Sequence, residues 1–270
     1  GSEMCIRDSY LNAQENRGVR NSSAKILDSD KWSPETKNKN RASLITFANY
    51  CQKVLKVLEE NHFKEVPKFS VDTKDSVSIY TPSEMQQMLS SALETNLDIL
   101  PLIVLQGFAG LRPSETHGER KKTPRLAWSA INLYANVIEV QHQKVRGRQA
   151  RFVPLQENAK KWLSPFLNLT LSGAIWTFKE SYTAQFAKLK ELARVRSIQD
   201  GLRHSYASYR NIQTGDTSKT AQEMGNSESE IYAHYRTPVF DAQAIEWFLI
   251  IPPDNYEEKV RSWYLNKQVS

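Results

Sequence analysis

The sequence predicts a mainly α-helical protein that carries one small antiparallel β-sheet, an α+β fold. Apolar residues recur at helical spacing in most segments, for example between residues 34 and 60. Leu97–Ala109 is apolar on nearly every side, which predicts a buried helix. Three short runs between residues 127 and 155 are instead typical of strands and are separated by turns.

Capping signals define several of these elements. Ser33 before Pro34 and Thr81 before Pro82 each predict a helix start, because a hydroxyl accepts from free backbone N–H groups and proline suits the first turn. The expected helices are 34–60, Thr81–Glu94, Leu97–Ala109, Glu157–Leu167, Ser181–Arg194, Gly201–Gln213, Thr217–Met224, Glu228–Arg236 and Phe240–Ile250. The expected strands are Ala127–Asn132, Val137–Gln141 and Gln149–Leu155.

Two segments stand outside this pattern. Residues 1–9 have neither an apolar period nor the features of a signal peptide, and we interpret them as a non-native junction. Residues 67–78 are rich in Lys, Asp, Ser, Val and Thr without helical spacing, so we interpret them as a linker between two domains.

The composition is that of a globular protein in a reducing, cytoplasmic compartment. The chain has 270 residues, only two cysteines and a net charge of +6. Cys5 and Cys51 cannot form a disulfide framework or a cysteine-based zinc site, and no HExxH pattern is present, so we expect no metal and no cofactor. No apolar run is long enough to predict a membrane span.

Basic residues lie on both sides of a predicted hairpin, between His117 and Arg151. A run of this kind is usually a solvated face, but a basic hairpin is also a shape that can reach a phosphate backbone. The residues we assign to DNA binding are Arg120, Lys121, Lys122, Arg146, Arg148 and Arg151.

Two stretches carry candidate chemistry. In GFAGLRPSE, Arg112 follows the end of the buried helix at Gly110, so it is held rigidly, either for a ligand or for a pair with Glu115. The stretch Gly201–Arg236 combines arginines, histidines and tyrosines, although ordinary amphipathic helices with core aromatics would also explain it.

Together these stretches resemble the catalytic domain of the tyrosine recombinase, or phage integrase, family. GLRPSE resembles the box with the first catalytic arginine, here Arg112, and GLRHSYASY the box with the second, here Arg203. IEVQHQKVRGRQARFVPL resembles the hairpin with the catalytic lysine, which gives Lys144 that role. MGNSESEIYAHYR resembles the segment that ends in the nucleophilic tyrosine, which is Tyr235, with Tyr232 the neighbouring alternative.

The resemblance implies a domain organisation. It covers residues 79–250 as the catalytic domain, leaves 251–270 as a C-terminal tail, and makes 10–66 a partial copy of the helical DNA-binding domain that precedes the catalytic one in this family. The stretch THGERKKTPR after Glu115 is then a short basic insertion.

The family chemistry explains the residue types. Two guanidiniums stabilise the charge that builds on a phosphodiester without a metal, and a lysine can protonate the departing 5′-oxygen. The resemblance implies a site-specific recombinase of a mobile element, cutting and rejoining double-stranded DNA through a 3′-phosphotyrosine. It also implies a monomer when free and a homotetramer on DNA.

Two positions depart from the family. Asp200 stands where histidine is usual; it is either a base for the Tyr235 proton or an N-cap that orients Arg203, and we favour the N-cap. Asn226 stands where histidine or tryptophan is usual and can still donate a hydrogen bond to a phosphate oxygen. His204 is expected to pack inside, and His234 to lie near the site or on the surface.

Alternatives remain open at this stage. The departures at Asp200 and Asn226 favour a catalytically weakened or inactive integrase-like DNA-binding protein. An unrelated helical interaction module would leave the paired arginines and the basic hairpin unexplained. The Phe240–Ile250 helix could dock on a neighbouring subunit or pack on its own domain.

Overall fold

The computed structural model describes residues 32–70, 78–118, 125–141, 150–169, 171–177, 181–234 and 239–269. The chain divides into two compact units, Gly1–Lys74 and Asp75–Ser270. The division falls inside the stretch that the sequence predicts as a linker. Among the described residues, no helix is long and apolar enough to span a membrane.

The described part of the first unit is one helix with a chain segment folded back on it. Helix α1 (Pro34–Tyr50) begins at Ser33, whose hydroxyl accepts from the backbone N–H of Thr36, and it continues as a π-helical turn, Cys51–Leu55. The Asn61 side chain donates to the carbonyl of Ile45 at 3.0 Å, which holds the returning segment against the helix.

The second unit is a helical domain with a small three-stranded sheet, and the predicted α+β fold is confirmed. Its helices are α2 (Pro82–Thr95), α3 (Leu100–Ala109), α4 (Pro113–Thr116), α5 (Glu157–Leu167), α6 (Tyr182–Leu192), α7 (Gly201–Thr214), α8 (Thr217–Met224), α9 (Glu228–His234), α10 (Asp241–Phe248) and α11 (Tyr256–Val269). Strands β1 (Ile131–Asn132), β2 (Val137–Val140) and β3 (Arg151–Pro154) form an antiparallel sheet in the order β1-β2-β3.

Several elements are shorter than the sequence predicts, among them α3 and the first strand. Helix α3 begins at Leu100 rather than Leu97, because Pro101 lacks an N–H and suits only the first turn of a helix. The predicted strand Ala127–Asn132 is mostly a 3₁₀ turn, in which Trp128 stacks on Phe166 with ring centroids 5.6 Å apart.

Helix α3 is the centre of the second unit. Every residue from Leu100 to Ala109 is buried. Helix α10 packs against it, since the Trp247 indole N–H donates to the carbonyl of Gly107 at 3.0 Å and its ring stacks on Tyr209. Of the two alternatives for α10, the structure therefore shows packing on its own domain for Trp247.

The predicted tail 251–270 is instead largely helical. Helix α11 buries Tyr256 and Val260, and the Tyr256 hydroxyl donates to the carbonyl of Trp162 at 2.6 Å. Lys259 also pairs with Glu94 of α2. A helix thus lies where the sequence predicts a tail, because paired prolines end one helix without preventing a new one from starting at Tyr256.

Gly110 ends α3 with a φ of +64°, and a Cβ there would lie 2.6 Å from Cε1 of Tyr206 and closer still to its Cδ1. We expect Gly110→Ala to lower the free energy of unfolding by about 2–4 kcal/mol, from backbone strain together with overpacking. Urea denaturation measures the loss.

Gly215→Ala is the matched control. Its φ is +62° and nothing lies within 4 Å of its added Cβ, so it tests backbone strain alone, about 1 kcal/mol. Equal losses in the two variants would show that Tyr206 makes no difference.

Candidate active site

Arg112 lies just after α3 and is held in part by its own local sequence. Pro113 favours extended backbone at the residue before it, and Arg112 has φ −70° and ψ 146°. Its backbone N–H donates to Oε2 of Glu115 at 2.7 Å, and its Nη1 donates to Oε1 of the same carboxylate at 3.2 Å. The expected pair with Glu115 therefore forms.

Arg203 lies in the first turn of α7 and is 6% exposed. Its Nη1 donates to the carbonyl of Gly110, at the end of α3. Its Nη2 donates to the carbonyl of Met224 at 2.8 Å. Arg203 is therefore held between the ends of two helices.

The two guanidiniums meet at the C-terminal end of α8. The carbonyl of Met224 accepts from Arg203 and, at 3.3 Å, from Arg112, and the carbonyl of Gly225 accepts from Arg112 at 2.9 Å. A helix C-terminus carries unpaired carbonyls and partial negative charge, which suits two cations. The structure thus brings together Arg112 and Arg203, the two arginines to which the sequence resemblance assigns the stabilisation of phosphodiester charge, and we call this pair the arginine clamp.

Asn226 links the two arginines directly. Its Oδ1 accepts from Nη2 of Arg203 at 2.7 Å and also from Nη2 of Arg112. The sequence predicts this side chain as a donor, but the structure turns its acceptor toward the guanidiniums. The shared oxygen marks a point that both arginines can reach with an N–H.

Asp200 occupies the N-cap position of α7 but does not cap the helix with its side chain. Its backbone is left-handed, with φ 50°, and its exposed carboxylate accepts no cap hydrogen bond. Only its carbonyl takes part, accepting from the backbone N–H of His204 at 3.0 Å. The N-cap interpretation is therefore wrong for the side chain, and the interpretation as a base stays a prediction.

Glu115 is buried between two arginines. Arg151 donates to both of its oxygens, at 2.6 and 2.8 Å. Burial raises the pKa of Glu115, but hydrogen bonds and charge from Arg151, with a smaller contribution from Arg112, outweigh it and lower the pKa to about 2. The predicted DNA contact Arg151 thus lies in a buried ion pair, with its side chain 12% exposed.

A second buried carboxylate, Glu223, lies in the last turn of α8. Arg210 donates to it at 2.9 and 2.7 Å, and the Tyr206 hydroxyl donates to it at 2.8 Å. Burial and then the charge of Glu223 raise the pKa of Tyr206 well above its usual range. Tyr206 is fully buried and is therefore a packing residue.

Sequence reasoning missed Glu223 and Arg210 as parts of this site. Arg210 lies two helical turns after Arg203, on the same face of α7, so its spacing could have indicated it. Glu223 directly precedes the Met-Gly turn, but its partner is apparent only in the fold. His204 is half-buried on α7.

Several predicted residues lie outside the described part of the chain. These are Lys144 and Tyr235, the basic residues Arg120, Lys121, Lys122, Arg146 and Arg148, and the side chains of Tyr232 and His234. Their roles stay predictions.

Solved structures provide the comparison. The sequence matches no family model and no curated protein. The Tn1549 transposon integrase in complex with a circular intermediate DNA is similar in structure with a TM-score of 0.61, at 16% identity over 90% of this chain and 84% of that chain. The fold is that of the tyrosine recombinases.

Two further structures have the same fold. A lambda integrase dimer bound to a COC′ core site gives a TM-score of 0.59, at 15% identity over 89% of this chain and 92% of that chain. XerA recombinase gives 0.50, at 16% identity over 99% and 93%. The predicted resemblance in fold is therefore confirmed.

The buried ion pair of Glu115 should make stability depend on pH. Its folded pKa, about 2, lies below the ordinary value, so its contribution is present above about pH 5 and is lost as the pH falls toward 2. We expect Glu115→Gln to cost about 3 kcal/mol at pH 7 and progressively less at pH 4 and 3.

Urea denaturation of both proteins across this pH series measures the difference. Glu157→Gln is the control, because that carboxylate is 77% exposed. A difference that stays constant from pH 7 to 3 would contradict the assignment.

Proposed function

We propose that the protein is a site-specific recombinase or integrase that cuts and rejoins DNA strands through a covalent 3′-phosphotyrosine. The observation that supports this most is the convergence of Arg112 and Arg203 on one oxygen atom, Oδ1 of Asn226. The DNA-bound tyrosine recombinases of the same fold support DNA as the partner.

The arginine pair is suited to a phosphodiester. A non-bridging oxygen that replaced Asn226 Oδ1 would accept from both guanidiniums at once. Backbone carbonyls of Gly110, Met224 and Gly225 already hold the pair, so little reorganisation accompanies charge development. Preorganised donors of this kind stabilise the transition state more than they stabilise the ground state.

The remaining steps are assigned by the family resemblance. The Oη of Tyr235 attacks phosphorus, the P–O5′ bond breaks, and Lys144 protonates the departing 5′-oxygen. A phenol has an ordinary pKa of about 10 and needs a base. Our candidate for this base is the exposed carboxylate of Asp200, which does not cap α7. Attack by a 5′-hydroxyl on the phosphotyrosine reverses these steps and rejoins the strand.

We further propose that Arg120, Lys121, Lys122, Arg146 and Arg148 contact double-stranded DNA. The free protein would be a monomer, and the active complex on DNA would be a homotetramer. The protein would belong to a mobile element, which moves between DNA sites. These assignments follow from the resemblance and from the basic composition of the sequence between His117 and Arg151.

One observation favours a second function, DNA binding without turnover. The Asn226 oxygen occupies the shared position between the arginines, and an amide cannot exchange a proton as histidine can. A protein that keeps this arrangement on DNA would bind its site without cleaving it.

Adduct formation separates the two functions. On a nicked suicide substrate carrying the flanks of its own gene, we expect a covalent protein–DNA adduct that Tyr235→Phe abolishes and Tyr232→Phe retains. Denaturing gel electrophoresis detects the adduct. Steeply salt-dependent binding with no adduct on any DNA would establish the second function.

The rate of adduct formation should also depend on the planar geometry of the Arg203 guanidinium. A lysine at position 203 keeps the charge but cannot reach Gly110, Met224 and Asn226 together. We expect Arg203→Lys to slow adduct formation at saturating DNA by roughly 10²–10³-fold. Arg261→Lys is the control, since Arg261 is 70% exposed on α11; an equal rate in both variants would remove Arg203 from the clamp.

A further inference from the structure

We infer that Arg151 is a positioning residue that fixes the arginine clamp, rather than a contact to DNA. The inference rests on the proposed function, because it assigns Arg151 a part in the same reaction. It contradicts the sequence-based expectation that Arg151 belongs to the basic surface around the hairpin.

The first observation is a relay from Arg151 to Arg112. Arg151 donates from two nitrogens to the two oxygens of Glu115, a geometry that fixes the plane of the carboxylate. The same two oxygens accept from the backbone N–H and Nη1 of Arg112. The orientation of Glu115, and through it that of Arg112, therefore depends on Arg151.

The second observation concerns the acceptor side of the clamp. The Nε of Arg151 donates to the carbonyl of Glu223 at 3.3 Å. Glu223 directly precedes Met224, whose carbonyl accepts from both clamp arginines. One side chain thus contacts both the residue that orients Arg112 and the helix end that receives it.

The third observation is the space that Gly225 leaves for this guanidinium. A Cβ on Gly225 would lie 3.2 Å from Cδ of Arg151 and 3.3 Å from its Nε and Nη1. Alanine at position 225 would therefore press on Arg151 without removing its charge.

Arg151 also begins β3, where it pairs with Val140 of β2. Lys144, the proposed general acid, lies in the sequence between these two strands. The residue that orients the first arginine is therefore also part of the base of the hairpin.

Among the described residues, removing Arg151 would leave the Glu115 carboxylate with Arg112 as its remaining cation. Arg112 would then be drawn toward Glu115 and away from the point it shares with Arg203. Small displacements of a positioned group cost up to about 10²-fold in rate. The side chain is 12% exposed, so its loss should leave phosphate contacts in place.

The test compares Arg151→Met and Arg151→Lys with the exposed control Arg261→Met. We expect both Arg151 variants to form the covalent adduct 10- to 100-fold more slowly at saturating DNA, with DNA affinity within twofold and an unchanged salt slope. A direct DNA contact predicts the reverse, weaker binding with a salt slope smaller by about one, and would overturn the inference.

Gly225→Ala and Gly215→Ala give a test that keeps Arg151 itself. Both glycines have a left-handed φ, but only the Cβ at position 225 meets Arg151. We expect slower adduct formation in Gly225→Ala alone. Equal rates in the two variants would overturn the inference, and circular dichroism confirms that each variant is folded.

An NMR measurement that requires no reaction tests the positioning role of Arg151 separately from the proposed function. Absence of an adduct with the wild-type protein would reject the proposed function. The guanidinium Nε–H resonance of Arg112, assigned with Arg112→Lys, should still shift in Arg151→Met and stay in place in Arg261→Met. An unmoved resonance in Arg151→Met would reject the positioning role.

Discussion

The rest of the site depends on hydrogen bonds from arginine side chains to the oxygens at the C-terminal end of α8. Within four consecutive residues, 223–226, backbone and side-chain oxygens accept hydrogen bonds from Arg112, Arg151, Arg203 and Arg210. A helix ends with carbonyls that lack intrahelical partners, and here they meet donors from three other segments. The left-handed turn at Gly225 exposes these carbonyls on one side.

Two buried carboxylates stabilise this cluster of arginines. Glu115 lies between Arg112 and Arg151, and Glu223 pairs with Arg210. A buried carboxylate that loses its partner is strongly destabilising, so the arginines that pair with Glu115 and Glu223 contribute to folding as well as to the site. The four arginines still exceed the two carboxylates, which leaves positive charge for an anion.

The arginine clamp is built on two packed helices of the core. Arg112 follows the wholly buried α3, and Arg203 lies on α7, which packs against it. Because Arg203 donates to the carbonyl that ends α3, the packing of the two helices sets the distance between the two guanidiniums. The proposed phosphoryl transfer would use preorganised donors of this kind.

The sequence by itself determined the local features. Thr81 caps the helix start that the sequence predicts, and Gly110 ends α3. The motifs GLRPSE and GLRHSYASY point to the two arginines that the structure brings together. Periodicity and capping act within a few residues, so the sequence contains them directly.

Only the tertiary structure decided the partners. It placed Arg151 against Glu115 and turned the Asn226 oxygen toward the arginines. It also left the Asp200 carboxylate without a capping hydrogen bond and packed α11 on its own domain. A charged or amide side chain can bind DNA, protein or water with the same atoms. Which of these it meets depends on burial between segments that are distant in the chain, and that is a property of the fold.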